Sequence, residues 1–378
     1  MKNKRWFKGF AVILKFISVL ALLALCLSYL SPFVHPQSFW MIPFFGLLYP
    51  FIIIVNLALL VIFALFRSKW SLIILLIVLL GGNLHFRHYS FGEPGITENV
   101  EESFSLMSYN VRLFDLYNWS VDSSNINRRK IFKFLDDQQP DVVCFQEFYH
   151  QDKSKSFPTR DSLIDFLQTI DYHERYSHRT KGRKNFGIAI LSKFPMIAKG
   201  EVPLQLESGD DNNNYCIFAD FVRGKDTIRV YNVHLQSIKI KSDDFMYVDD
   251  NGVFSIDKSA AIESVITKLR KAYPMRADQS RLVLEHAKES PFPVVICGDF
   301  NDTPLSYTYN EFQNLYTDAS RHLVKGINST YAGKIPAGRI DYIFYSVGLK
   351  GSNFQIQNET LSDHRAIWCR FNINPSDK

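Results

Sequence analysis

The sequence predicts a domain of mixed α/β (α+β) class, with sheets covered by helices, behind an amino-terminal region of three transmembrane helices. Three observations lead there. Charge is unevenly shared: residues 1–88 carry eight basic side chains and no acidic one, whereas the 290 residues that follow carry 35 basic and 38 acidic. Uncharged apolar stretches recur three times before residue 90, and short apolar runs alternate with amphipathic segments from residue 104 onward. A chain that is 47% hydrophobic with five cysteines in 378 residues is neither disordered, collagen-like nor a disulfide scaffold.

The spans come first. Residues 10–30 contain one charge, Lys15; residues 41–66 and 70–86 contain none. A bilayer crossing takes about 20 apolar residues, so the third stretch lies at the short limit. Basic residues stay on the cytoplasmic side. The tail holds Lys2, Lys4, Arg5 and Lys8 and the second loop holds Arg67 and Lys69, while the first loop, SPFVHPQS, has none. Three crossings therefore place everything after Arg87 on the non-cytoplasmic, periplasmic or extracellular side. A cleaved signal peptide at residues 10–30 is the rival reading and leads to the same side. Leu25 stands where a lipoprotein signal needs a small residue, which argues against lipid modification of Cys26. Trp40 and Trp70 sit at span ends, where aromatic rings anchor. The expected division is a membrane region at 1–88, a linker at 89–102 and a catalytic-size domain at 103–374, large enough for one full core.

In that domain, β-branched and aromatic runs bounded by Gly, Pro, Asn or Asp predict strands at 104–111, 142–146, 187–192, 215–222, 227–235, 294–297, 341–346 and 366–373. Helices are predicted at 126–138, 161–170, 259–272 and 276–288; in the first, Ile131, Phe134 and Leu135 share a face. Residues 236–257 are polar and read as a long loop, either a substrate-access element or a solvated insertion. Cys144, Cys216, Cys297 and Cys369 fall inside strands without zinc-site spacing and read as buried hydrophobes; two disulfides are the alternative in an exported domain.

Several strands stop at small polar clusters: Ser108-Tyr109-Asn110, Gln146-Glu147, Asn232-Val233-His234, Gly298-Asp299-Phe300-Asn301, Arg339-Ile340-Asp341 and Ser362-Asp363-His364. Each alone is ordinary turn chemistry. Strands packed side by side bring their ends together, however, and a cleft of carboxylates, amides and histidines suits a hard divalent cation.

The order of these clusters resembles the endonuclease/exonuclease/phosphatase superfamily, which contains pancreatic deoxyribonuclease, apurinic endonucleases, inositol polyphosphate 5-phosphatases and neutral sphingomyelinases. The resemblance runs over residues 104–371 and rests on SYNV at 108–111, DVVCFQE at 141–147, FGIAILSKFPM at 186–196, YNVHLQS at 231–237, VVICGDFND at 294–302, RIDYIF at 339–344 and SDH at 362–364. It implies a four-layered α/β/β/α sandwich with the site at one edge of the sheets, hydrolysing a phosphate ester with Mg2+ or Mn2+. By matching motif position, it implies Glu147 as principal metal ligand with Asn110 beside it and Asp363 on the same ion or a second. His364 would act on the water or the phosphate, oriented by Asp341; Asp299 would align the water, Asn301 would bond a phosphate oxygen, and His234 would contact the phosphate or the leaving group.

The expected function is a membrane-anchored, metal-dependent phosphoesterase. Three spans exceed what a tether needs, which favours a lipid headgroup at the bilayer as the phosphate ester. The alternatives are a surface nuclease acting on DNA or RNA and a catalytically inactive membrane scaffold. The net −3 of the domain weighs against broad capture of nucleic acid, although Arg179, Lys181, Arg183 and Lys184 form either a local basic cleft or a solvated run. The presence of every site residue weighs against the scaffold. Nothing in the sequence points to an obligate protein partner.

Overall fold

The computed structural model describes residues 2–373 except 94, 96–102, 117–125, 153–157, 181–183, 205–213, 239–246, 249–253, 256–257 and 334–337. Among the described residues, two helices are long and apolar enough to cross a membrane: α1 (Lys2–Leu30), through its stretch Gly9–Leu30, and α2 (Ile42–Leu65). The third predicted span is shorter than expected. It is an 11-residue helix, α3 (Trp70–Leu80), broken at Gly81 and followed by α4 (Gly82–His85). At 1.5 Å per residue α3 covers roughly 16 Å of a hydrocarbon core about 30 Å thick. Two successive glycines, each about 1 kcal/mol worse than alanine in a helix, end it where the apolar run would have continued.

The three helices run up, down and up. Phe63 near the end of α2 stacks on Trp70 at the start of α3, with ring centroids 6.2 Å apart. At the opposite end His85 meets Tyr29 and Tyr49, at 5.8 and 6.0 Å. Leu22, Leu59, Phe63 and Ile74 form the seam between them. Asn56, fully buried in α2, donates to Ala21 O of α1 at 3.0 Å, a polar contact that pins two otherwise interchangeable apolar surfaces.

The remaining elements are β1 (Ser90–Phe91), β2 (Phe104–Asn110), α5 (Ile126–Gln138), β3 (Val142–His150), α6 (Thr159–Phe166), β4 (Asp171–Thr180), β5 (Lys184–Ser192), β6 (Met196–Val202), β7 (Tyr215–Arg223) and β8 (Asp226–His234). They continue with β9 (Tyr247–Val248), β10 (Phe254–Ser255), α7 (Lys258–Lys288), β11 (Val294–Asp299), α8 (Tyr307–Gln313), β12 (Thr317–Asp318) and α9 (Ala319–Leu323). The chain closes with β13 (Lys325–Gly326), β14 (Asp341–Tyr345), β15 (Leu349–Ile356) and β16 (Ile367–Ile373). Two six-stranded sheets form, in the orders β12-β14-β11-β8-β7-β6 and β15-β16-β2-β3-β5-β4. Each contains one parallel pair, β8 with β11 and β2 with β3. A parallel pair needs a crossover, and α7 and α5 supply the two.

The alternation of side chains builds four layers. Phe104, Leu106, Cys144 and Ile190 of one sheet meet Ile217, Val230, Val295, Cys297 and Ile343 of the other in the central core. On the outer face of the first sheet Met107 and Val143 pack beneath Ile131 and Leu135 of α5 and Leu163 of α6. On the second, Val294 and Ile296 lie beneath Val283 and Leu284 of α7 and Phe312 of α8. The four strand cysteines are free thiols, all buried, as small apolar side chains in these layers.

Besides the two-residue strands β1, β9, β10, β12 and β13, three long strands escape the sequence reading: β4, β6 and β15. All are sheet edges, and β6 alternates half-buried and exposed residues through Lys199 and Glu201; edge strands carry charge where central strands read as apolar runs. The two predicted helices at 259–272 and 276–288 are one helix with Pro274 inside. Of the expected loop at 236–257, residues 247–248 and 254–255 pair as a small ribbon, and most of the rest lies outside the described residues.

The bundle docks on the sandwich through its first loop and its last turn. Trp40 lies under Arg270, whose guanidinium carbon is 4.6 Å from the ring centre, and Phe44 meets Tyr273 at 5.6 Å. Leu305 buries itself beside Leu25 and Tyr49. Arg87 bonds Asn310 Oδ1 at 2.8 Å, and β1 pairs with β13, Phe91 opposite Lys325.

Candidate active site

Strand register sets the site. In the second sheet Asp299, the last residue of β11, stands opposite His234 of β8 on one side and Asp341 of β14 on the other. Val295 and Cys297 face the central core, so Asp299, the next residue in that alternating series, faces the other sheet at its rim. In β2 the same parity carries Phe104 and Leu106 into the core and Asn110 to the rim. Two βαβ units therefore deliver Asn110, His234 and Asp299 to one edge, where the parallel strands end, and antiparallel β14 starts there with Asp341.

Cross-sheet hydrogen bonds close the cleft. Asn110 Nδ2 donates to Asp299 Oδ2 at 3.0 Å, and Asn110 Oδ1 accepts from the Arg112 amide at 3.1 Å. His364, from the loop before β16, contacts both oxygens of Asp341 through Nδ1, at 3.0 and 3.1 Å. Its Nε2 lies 3.7 Å from Asp299 Oδ2, and His234 Nε2 lies 3.7 Å from that same oxygen. His234 Nε2 is buried with no hydrogen-bond partner among the described residues. Two imidazole edges thus face one carboxylate, one of them free to take a bond from outside the protein.

Glu147 reaches the cleft by a break in strand regularity. Simple alternation would send it to the helix-covered face. The pairing of β3 with β5 shifts between Phe145 and Phe148, and Glu147 takes φ 48° within that bulge, which re-aims the side chain. A bulky non-glycine residue held there is strained, and such outliers gather at functional sites. Burial raises the Glu147 carboxyl above its usual range; the nearby Asp363 and Asp299 raise it further, against relief from His234 and His364.

Gly298 makes the GDFN turn possible. It has φ 145°, and a Cβ there would collide with Val233 O. Beyond it Asn301, at φ 54°, donates its amide to Asp299 Oδ1 at 2.8 Å and its side-chain Nδ2 to Leu235 O at 3.1 Å. One N–H of that side chain is therefore used in holding β8 to β11. Asp363 is half-buried and sits 3.4 Å from Arg112 Nε.

Burial alone would drive the proton off His364. Asp341, Asp299 and Asp363 outweigh it and push the imidazole up to about 10. Asp341 is raised in turn by burial, with His364 opposing, so the pair holds a proton between them.

Among the described carboxylates, histidines and cysteines, Asp299, Asp341 and His364 form a group whose donor atoms all lie within 4.8 Å of one another. That differs from the expected set of Glu147, Asn110 and Asp363. His364 and Asp341 satisfy each other, whereas Glu147, Asp299 and Asp363 crowd negative charge into one cleft. A hard divalent cation fits that crowding, because its oxygen ligands are then no longer mutually repulsive.

Several side chains with no assigned part in the sequence reading complete the site. Gln146 donates to Asn232 Oδ1 at 2.6 Å across the sheets, and Asn232 donates to Phe145 O and Ala189 O at 3.0 and 2.9 Å. Thr330 Oγ1 accepts from the Ile340 and Asp341 amides, both at 3.1 Å. Ser362 Oγ donates to Asn110 O at 3.0 Å. The Tyr331 ring stands edge-on to His364 at 5.2 Å, its hydroxyl raised to about 12 by burial and then by Asp363. Gln146 and Asn232 carried a signal, amides inside apolar strands; Thr330 and Tyr331 carried none. The basic run at 179–184 cannot be set against the cleft, since residues 181–183 and the Arg179 side chain lie outside the described residues.

Known proteins bear on this arrangement. The profile of the Endonuclease/Exonuclease/phosphatase family matches residues 107–364, and a second, of a domain of unknown function, matches residues 11–89. No curated protein sequence matches the chain. Among solved structures, the chain is similar to an endonuclease/exonuclease/phosphatase from Bacteroides vulgatus, at 18% identity and TM-score 0.51 over 72% of this chain and 99% of that one. It is also similar to the human Nocturnin catalytic domain with bound sulfate, at 16% identity and TM-score 0.51 over 72% and 94%. A third, from Beutenbergia cavernae, gives 16% and 0.50 over 72% of each chain. At these identities the likeness is one of fold.

Proposed function

This chain belongs to the endonuclease/exonuclease/phosphatase family, and on that footing we propose that it is a membrane-anchored, metal-dependent phosphoesterase acting on a lipid headgroup. The observation that carries the reading is His364 clamped by Asp341, with Asp299, His234 and Glu147 converging on the same rim. Phosphate esters repel hydroxide through their own charge, so a site must neutralise developing charge while holding water in line. His364, charged at neutral pH, supplies a cation to the phosphoryl oxygens; Asp341 fixes its ring and keeps its proton. Asp299 accepts from Asn110 and holds the attacking water, and the open Nε2 of His234 meets the phosphate or leaving oxygen. Asn301 offers its second N–H to a phosphate oxygen. Glu147, with Asn110 and Asp363, would hold Mg2+ or Mn2+, which supplies Lewis-acid stabilisation of charge on the ester.

We divide the chain into a membrane region at 1–88, a linker at 89–102 and a catalytic domain at 103–374, and place that domain on the non-cytoplasmic face. Support for the side comes from the course of the bundle. Arg67 and Lys69 lie at the turn between α2 and α3, while the first loop, through His35 on Tyr307, and α4, through Asn83 on Arg321, both meet the sandwich. Basic loops stay inside, so the docked end is the outer one. A short α3 serves because it is packed on α1 and α2.

The test presents purified full-length protein with Mg2+ to sphingomyelin, phosphatidylinositol lipids, plasmid DNA, RNA and a chromogenic phosphodiester. Lipid turnover is expected; DNA or RNA cleavage without it would overturn the lipid reading, and equal rates for wild type and His364→Ala would overturn the site. A carboxy-terminal reporter active only in the cytoplasm should stay silent.

A further inference from the structure

A second site lies where the bundle meets the sandwich. An open cavity of about 400 Å3 is lined by Phe86, Phe91, Gly92, Arg321 and His322, none of them a residue of the catalytic cleft. Its walls differ in chemistry. Phe86 and Phe91 are 46% and 63% exposed, with their rings edge to face at 5.4 Å, and Tyr89 lies 4.7 Å from Phe91. Leu79 and Leu80, at the end of α3 and six to seven residues before Phe86, are also exposed. On the other side Arg321 is held by Asn83 of α4, and exposed Lys325 stands opposite Phe91 in the strand pair. Gly92 forms the floor: it lies so close to the His322 backbone that a Cβ would collide with it, and any side chain would lift the strand off α9.

Exposed aromatic rings beside an apolar helix end, facing two basic side chains, match the layering of a bilayer surface from acyl chain to phosphate. We propose that this groove binds an anionic phospholipid of the surrounding membrane, its phosphate against Arg321 and His322 and its chains along Phe86 and Phe91. The occupant follows from two features. Phe86 caps the last helix of the apolar bundle and brings that end of the wall to it, and the polar wall is cationic. The proposal rests on the membrane-spanning reading above but not on the catalytic one.

The experiment reconstitutes the full-length protein into nanodiscs of phosphatidylcholine, with or without phosphatidylglycerol, and counts retained lipid by native mass spectrometry. Wild type should retain phosphatidylglycerol selectively, and Arg321→Gln with His322→Gln should retain about tenfold less, near 1.4 kcal/mol, while Arg321→Lys keeps most of it. Lys325→Gln with Phe91→Ser provides a second, milder variant pair should the first misfold, and should also lose selectivity. Equal retention by wild type and either folded variant pair would overturn the proposal. So would displacement of the lipid by millimolar inorganic phosphate, which would mark a free-phosphate site instead. Wild type that stays in the aqueous phase would sink the spanning reading itself; intact catalytic activity would then survive.

Discussion

His364 and Asp341 meet from different sheets, and the carboxylate serves only if it is charged. Asp341→Asn keeps the shape and removes the charge that holds the imidazole proton. It is expected to lower kcat by roughly 10²–10⁴ with little change in melting temperature, and to move the alkaline limb of the pH–rate profile down. An unchanged profile would separate Asp341 from the chemistry. Glu147 makes the opposite case for stability. Its carboxyl is raised in the fold, first by burial and then by Asp363 and Asp299. A group raised above its unfolded value gives stability that is complete below the unfolded pKa and lost as pH rises through the folded one. At neutral pH without metal its charge therefore opposes folding. Glu147→Gln should melt higher than wild type in chelator and lose that advantage in saturating Mg2+, because ligation stabilises only the wild type; a variant that melts lower in both would contradict this.

At the scale of elements, the two sheets are joined at the rim by amides. Asn232 is fully buried and bonds Gln146, Phe145 O and Ala189 O. Asn232→Leu would strand those groups in the interior at about 1–3 kcal/mol each before relaxation. A fall in the denaturant midpoint larger than for a surface Asn→Leu control is the expected outcome. The central strands were legible in the sequence because both faces are covered and the residues run apolar. β4, β6 and β15 were not, since an edge strand mixes charges with apolar residues and looks like a loop. Pro274 misled in the other direction: it reads as a helix boundary, yet the packing of Tyr273 on Phe44 and of Arg270 on Trp40 holds α7 continuous through it. Glu147 was found by its motif, but alternation alone would have put it on the wrong face, because the bulge that turns it inward has no mark in composition.

Across the whole molecule, bundle and sandwich share a buried junction. His88 stacks on Tyr49 at 5.0 Å, and its Nε2 is buried without a partner among the described residues. Burial, then Arg339, Arg87 and His85, lower it from 6.5 to about 3. Between those two values the unfolded chain binds a proton that the folded chain refuses, so stability is lost as pH falls from about 6.5 toward 3. Thermal unfolding of full-length protein in detergent should show that decline, flattened in His88→Phe; parallel curves would exclude His88 as its source.

The sequence by itself determined the uneven charge, the apolar amino-terminal stretches, the order of strand-end motifs and hence the family, because these depend on residue type and on alternation along one strand. Tertiary structure alone decided the rest. It set which rim residues touch, since Asn110 and Asp299 are 189 residues apart and meet only when two sheets stack. It gave Arg321 and His322 an aromatic wall from the end of the bundle. A contact between distant segments carries no local periodicity, so nothing short of the packed chain could specify it.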